Sequence, residues 1–166
     1  MFHQLNVDTA QLENALLNLA INARDAMSDG GNIILRSERY HCSERTHLKE
    51  NSLAGIMLNP GDYVVVSVED TGAGIEQEDL VRVFEPFFTT KEIGKGGGLG
   101  LSMVYGFVQQ SSGQCVVRSK IGEGTKVSMY FPEAQYMEQD KSSIDEKKIA
   151  FADSEVILVV EDDRVF

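Results

Sequence analysis

Asn18 and Asn22 lie four residues apart in the middle of a segment that otherwise reads as a good helix. Asn is a mediocre helix former because its side chain competes for backbone hydrogen bonds, so the pair needs a reason. One reason is chemical: side-chain oxygens offered to a divalent cation and its waters, as suits Mg²⁺ carried on substrate phosphates. The other is a buried hydrogen-bond pair or a partly solvated face. A second candidate is Asp70, at the end of Asp62–Asp70 (DYVVVSVED). Strand alternation puts Val64, Val66, Val68 and Asp70 on one face and Tyr63, Val65, Ser67 and Glu69 on the other. A carboxylate that continues a core-facing row is costly to bury unless it finds donors. Either it accepts from an exocyclic amino group such as N6 of adenine, with Gly72 and Gly74 letting a planar base approach the backbone, or it caps the turn that follows.

A third candidate is the run Gly94-Lys95-Gly96-Gly97-Gly98-Leu99-Gly100-Leu101, directly before a helical stretch. Dense glycines let backbone N–H groups approach an anion, and the helix adds unpaired N–H groups and the positive end of a dipole. The run satisfies neither the P-loop pattern nor the dinucleotide fingerprint, so in isolation it is equally a flexible linker. Phe84-Glu85-Pro86-Phe87-Phe88-Thr89-Thr90-Lys91 precedes it, an apolar anchor leading into mobile residues, either a lid or an anchored surface loop. Lys91 and Lys95 are the cations of this stretch, placed where phosphate charge would need neutralising.

The elements that must position these residues follow from periodicity. Leu12, Ala15, Leu16, Leu19, Ala23 and Ala26 recur at helical steps between Asp8 and Ser28, and Asp29-Gly30-Gly31 stops the helix. At about 100° per residue, Gln11, Asn14, Asn18, Asn22 and Asp25 form one polar stripe bordered by apolar residues. Asn32–Tyr40 reads as a strand, the polar stretch from His41 to Gly61 as a connection or a small excursion without chemistry, and Gln77–Phe84 as a short helix. His41 and His47 read as solvated loop residues. Ser102–Gln110 reads as a helix, and Gln114–Lys120 and Thr125–Phe131 as strands joined by Ile121-Gly122-Glu123-Gly124. From Glu133 to Asp153 the chain turns polar and acidic, a linker, and Val156–Val160 is an apolar run of the buried-strand type, with Glu161-Asp162-Asp163 at its end.

The chain has 166 residues, 42% of them hydrophobic and 25% charged, enough for one full domain and an appendage. The formal net charge of -11 argues against a nucleic-acid footprint. Cys42 and Cys115 suggest neither a disulfide framework nor a zinc site, which fits a reducing cytoplasm. No apolar run approaches a membrane span, although a parent protein could be anchored elsewhere.

Taken in order, these pieces resemble the catalytic ATP-binding domain of sensor histidine kinases, in the GHKL ATPase superfamily. Gln11–Met27 (QLENALLNLAINARDAM) looks like the N box, Asp70–Ile75 (DTGAGI) like the G1 box, Phe84–Lys91 (FEPFFTTK) like the F box and Gly94–Ser102 (GKGGGLGLS) like the G2 box. The resemblance implies a Bergerat-type two-layer α/β sandwich over residues 1–132, a mixed sheet packed on helices, with ATP between the first helix and the lid. It implies Asn22 as the Mg²⁺ ligand, Asn18 as its companion and Asp70 as the adenine contact. Gly72, Gly74, Ile75, Phe87, Lys95, Gly96, Gly98, Leu99, Gly100, Leu101 and Thr125 complete the implied nucleotide site, and Lys91 joins Asn18 and Asn22 as a catalytic candidate.

ATP-hydrolysing members such as gyrase, Hsp90 and MutL carry a Glu where this helix has Asn18. Asn cannot take a proton from water, so Asn18 favours transfer of the γ-phosphate to a histidine over hydrolysis. His3, His41 and His47 match no phosphoacceptor motif, so the acceptor is expected on a separate dimerisation domain. An ATP-hydrolysing switch and a non-catalytic nucleotide-sensing module are the rival functions. Residues 155–166, containing VILVVEDD, resemble the first strand of a receiver domain, with Glu161 and Asp162 at its acidic pair and residues 133–154 as linker. The implied parent is a hybrid kinase, with the receiver or a response regulator as downstream partner and the fragment itself monomeric.

Overall fold

A computed structural model describes residues 5–48, 56–91 and 97–134. The linker and receiver-like strand expected beyond residue 134 lie outside the described residues, as do Gly94, Lys95 and Gly96 of the lid.

Helix α1 spans Thr9–Asp25, opened by Asp8, whose side chain accepts from the Gln11 N–H at 3.0 Å. Strand β1 (Ile33–Cys42) leads into a small hairpin, β2 (Thr46–Leu48) and β3 (Ile56–Leu58). Strand β4 (Gly61–Asp70) returns along β1, helix α2 covers Gly100–Gln110, and β5 (Gln114–Lys120) and β6 (Gly124–Pro132) close the fold. The main sheet has the order β1-β4-β6-β5, and all its ladders are antiparallel. The mixed sheet of the family expectation is therefore narrowed for the described strands. β4 and β5 do run parallel, but β6 lies between them, because the short turn after β5 folds β6 back into that gap.

The alternation read along β4 holds. Val66 and Val68 pack with Ala15 and Leu19 of α1, Val104 and Phe107 of α2, and Met129 and Phe131 of β6. Tyr63 and Val65 point the other way, into a second core with Cys42, Val116, Tyr130 and the hairpin residues Leu48 and Leu58. The described part of the 41–61 stretch, expected to be a connection or a small excursion, thus covers the outer face of the sheet with Leu48 and Leu58. His41 lies on β1, where Nδ1 is 2.7 Å from Asp62 Oδ1, and His47 lies on β2. Leu58 is 1% exposed. Leu58→Ala should lower unfolding free energy in urea titrations by about 2–4 kcal/mol, the usual cost of truncating a buried leucine. A loss below about 0.5 kcal/mol, the surface norm, would mean that the hairpin is only loosely attached.

The short helix expected over 77–84 is not present. Backbone bonds from Asp79 to Glu76, Arg82 to Asp79, Glu85 to Arg82 and Phe88 to Glu85 form successive three-residue turns instead. Those turns bury Leu80 and Val83 in the main core, and Pro86 disfavours helical backbone at the residue before it.

Candidate functional site

Strand register assembles one wall of the site. Asp70 ends β4 opposite Thr125 of β6, and Thr125 lies opposite Ser119 of β5. Asp70 is 8% exposed. Its Oδ1 accepts from the Gly72 N–H at 2.8 Å and the Thr125 N–H at 3.2 Å. No described residue bonds Oδ2. The carboxylate has found its donors on one oxygen and keeps the other open.

Asp70 lines a cavity of about 490 Å³ between α1, the end of β4, the 73–75 loop, the lid ends and the start of α2. Asn18, Asn22, Asp70, Gly74, Ile75, Lys91, Gly98, Leu99, Gly100, Leu101 and Thr125 line it, so most of the residues singled out from the sequence converge on one volume. Gly72 does not line it. A Cβ there would meet the Ala26 carbonyl oxygen at 2.7 Å, and the Ala73 N–H bonds that same oxygen at 3.0 Å, so Gly72 seats the loop on the end of α1.

Phe87, which the resemblance implies as a nucleotide contact, does not line the cavity either. It is 74% exposed and left-handed at φ 67, and the aromatic residue at the cavity is its neighbour Phe88, which also stacks under Arg82 at 4.5 Å. The Phe87 N–H donates to the Gly98 carbonyl at 2.9 Å. A Cβ on Gly98, itself at φ 64, would lie 2.4 Å from the Phe87 carbonyl carbon, so the two ends of the lid are clasped backbone to backbone.

Helix α2 begins at Gly100, two residues before the Ser102 start read from the sequence, with no side chain capping its first turn. Its free N–H groups open beside Gly98, Leu99 and Gly100 at the cavity, the arrangement that suits an anion. A Cβ on Gly100 would stand 3.3 Å from Asn22 Nδ2, so this glycine lets α2 approach α1 closely. Neither the Asn18 nor the Asn22 amide has a hydrogen-bond partner among the described residues, and both line the cavity. Among the described residues no cluster of three His, Cys, Asp or Glu side chains could cage a metal. Two open amides suit a hydrated, oxygen-preferring cation that arrives on its ligand rather than one held by protein alone.

Asp25 and Ser119 were not among the expected site residues. Asp25 lies on the same helical stripe as Asn22, and its Oδ2 holds Lys91 Nζ at 2.7 Å, an ion pair across the cavity mouth between α1 and the lid. The 66-residue separation hides that pair from any local pattern. The Lys91 hydrogen bond, and after it that of Arg24, holds the Asp25 carboxyl below its ordinary value of 3.8. A lowered folded-state pKa means that the pair stabilises the fold above the ordinary value and is lost as pH falls through the lowered one. In a carbon-13 NMR titration the Asp25 carboxyl should have a midpoint below 3.8, and Lys91→Met should move it upward. A midpoint unmoved by that change would assign the effect to Arg24 alone.

Comparison with known proteins agrees with this geometry. The family model described as histidine kinase-, DNA gyrase B-, and HSP90-like ATPase matches residues 7–135. The chain belongs to this family. Within it, the chain is 42% identical over 166 residues to the sensor kinase CckA of Brucella abortus (strain 2308), covering 96% of this chain and 17% of that protein. It is 41% identical over 122 residues to the two-component sensor PprA of Pseudomonas aeruginosa, covering 74% of this chain and 12% of PprA. The chain therefore spans less than a fifth of the length of these curated relatives.

Among solved structures, the nucleotide-free catalytic domain of the histidine kinase ThkA superposes with a TM-score of 0.56 at 26% identity, over 78% of this chain and 71% of that one. Full-length ShkA, solved in complex with AMPPNP, superposes with a TM-score of 0.59 at 25% identity, over 81% of this chain and 24% of that one. The histidine-kinase ATPase fold is thus shared, and no described helix is long and apolar enough to cross a membrane.

Proposed function

We propose that this chain binds ATP with Mg²⁺ and presents the γ-phosphate to a histidine on a separate dimerisation domain in two-component signalling. The observation that carries the reading is one cavity that joins Asp70, whose Oδ2 is open among the described residues, to the uncapped amino end of α2 and to the Asn18 and Asn22 amides, which have no partner among the described residues. Asp70 Oδ2 accepts from the amino group of the base, and Gly74, Ile75 and Thr125 flank the ring. The backbone N–H groups of Gly98 and Leu99 and of the first α2 residues Gly100 and Leu101 face the phosphates, with Gly96, Lys95 and Lys91 contributing from the lid. Asn22, with Asn18 beside it, would hold Mg²⁺, which when bound neutralises phosphate charge.

Transfer is favoured over hydrolysis by what lines the cavity. Water attack needs a base, and in this reading the two carboxylates there are engaged: Asp70 by backbone N–H groups on Oδ1 and by the amino group of the base on Oδ2, Asp25 by Lys91. Asn18 cannot accept the proton. A histidine acceptor brings its own lone pair: its ring nitrogen bonds to the γ-phosphorus, the bond to the bridging oxygen breaks, and ADP leaves with that electron pair. The chain's contribution is positioning and charge neutralisation.

The names of the sensor-kinase relatives and the nucleotide analogue named with ShkA support this reading. A receiver domain or response regulator then takes the phosphoryl group onward in the cytoplasm. The test mixes this chain with its dimerisation domain and γ-labelled ATP, beside Asn22→Ala. Label should appear on the partner histidine and be lost in the variant. Steady phosphate release without any partner would instead make the chain an ATP-hydrolysing switch, and nucleotide binding with no transfer would make it a sensing module.

A further inference from the structure

Ser119 lies behind the cavity wall, 7% exposed, third in the cross-strand row after Asp70 and Thr125. Its hydroxyl oxygen makes three contacts, each 2.8 Å long: with the Ile75 N–H, the Gly124 carbonyl and the Thr125 hydroxyl. Their proton directions follow from valence. A carbonyl can only accept, so the single proton of Ser119 goes to Gly124. The Ile75 N–H can only donate, so it takes one lone pair of Ser119. What remains toward Thr125 is the other lone pair, and the Thr125 hydroxyl must supply the proton of that contact.

Thr125 therefore spends its proton on Ser119 and turns only lone pairs to the cavity. Asp70 Oδ2 beside it is an acceptor as well. From this chain of hydrogen bonds we infer that Ser119 is a positioning residue for base selection. By fixing the direction of the Thr125 hydroxyl it leaves acceptors alone around C6 of the base, which suits a purine with an amino group at that carbon and leaves one without it no bond to make there. The inference rests on the nucleotide reading of the cavity and adds what sets its selectivity.

Purine riboside triphosphate keeps the bare N1 of ATP and lacks only the C6 amino group, whereas ITP would also gain an N1–H, so calorimetric titration of the 166-residue chain with ATP and with purine riboside triphosphate reads the selection directly. Ser119→Ala frees the Thr125 proton to turn outward, and the ratio of ATP affinity to purine riboside triphosphate affinity should fall by about tenfold, the worth of one reversed hydrogen bond. Ser119→Thr, which keeps the hydroxyl, should hold the ratio near the wild-type value. Thr125→Val removes a cavity acceptor and should lower the ratio too, after which Ser119→Ala should change it no further.

A purely structural Ser119 would weaken both nucleotides equally and leave the ratio untouched, which would overturn the inference. So would a ratio that rises in Thr125→Val, since that would make Thr125 a donor to the ligand; this arm decides the matter even if Ser119→Ala fails to fold. If the wild-type chain binds neither nucleotide, the underlying nucleotide reading fails, an outcome distinct from binding without selection.

Discussion

Replacing Asp70 with Asn should weaken ATP binding by about a hundredfold or more, a loss near 3 kcal/mol, while the domain stays folded. Asp70 Oδ1 is held by two backbone N–H groups, so an Asn at this position keeps its oxygen there. The alternative rotamer would set an NH₂ group against two donors. The nitrogen must then stand where Oδ2 stood, turning the open acceptor into a donor that faces the amino group of the base. Sites built around one hydrogen bond reject ligands that cannot make it by large factors. The shape of the side chain is unchanged, so unfolding in urea should shift little. Calorimetry with ATP and a denaturation curve for each protein would check both halves. Affinity within threefold of wild type would mean that the base is held elsewhere in the cavity.

The second large effect falls on folding. Gly124 begins β6 at φ 106, and a Cβ on it would stand 1.9 Å from the Asp70 carbonyl oxygen. Both partners of that clash are fixed by sheet hydrogen bonding, so no rotamer change relieves it. Gly124→Ala should cost more than about 3 kcal/mol, enough to leave much of the protein unfolded. Gly122 is the control: its φ is 76, yet a Cβ there meets nothing within 4 Å. Gly122→Ala should cost only the left-handed backbone penalty, about 1–2 kcal/mol. Equal stability of the two variants would remove close approach as the reason for Gly124.

The sequence carried most of the cavity because its residues announce themselves locally. A period of two placed Asp70 on the core face, a helical stripe placed Asn18 beside Asn22, and a glycine run marked the start of α2. The contributions it left hidden are those made by pairing rather than by pattern. Ser119 is an unremarked hydroxyl in an ordinary strand until the register sets it opposite Thr125. Asp25 reads as one more charge on a helix until Lys91 meets it from the lid. The hairpin escaped notice because strands of three residues are too short to show alternation, although Leu48 and Leu58 both belong to a core. Phe87 and Phe88 were indistinguishable as neighbours of one type. Only the left-handed backbone at Phe87 decides which of them turns to solvent. At 77–84, buried Leu80 and Val83 match a helical spacing, but three-residue turns satisfy the same burial.

The row Asp70, Thr125, Ser119 crosses three strands, and each member must face the helices for the cavity wall to exist. Side chains alternate faces along a strand, so slipping any one of these strands by a single residue would carry its member through the sheet to the hairpin side. A misregistered chain could still bury valines on both faces of β4 and pass as folded by its secondary structure alone. It would have no wall on which to seat a base. Ligand affinity therefore works as an assay of strand pairing, able to tell a correctly threaded sheet from a merely collapsed one.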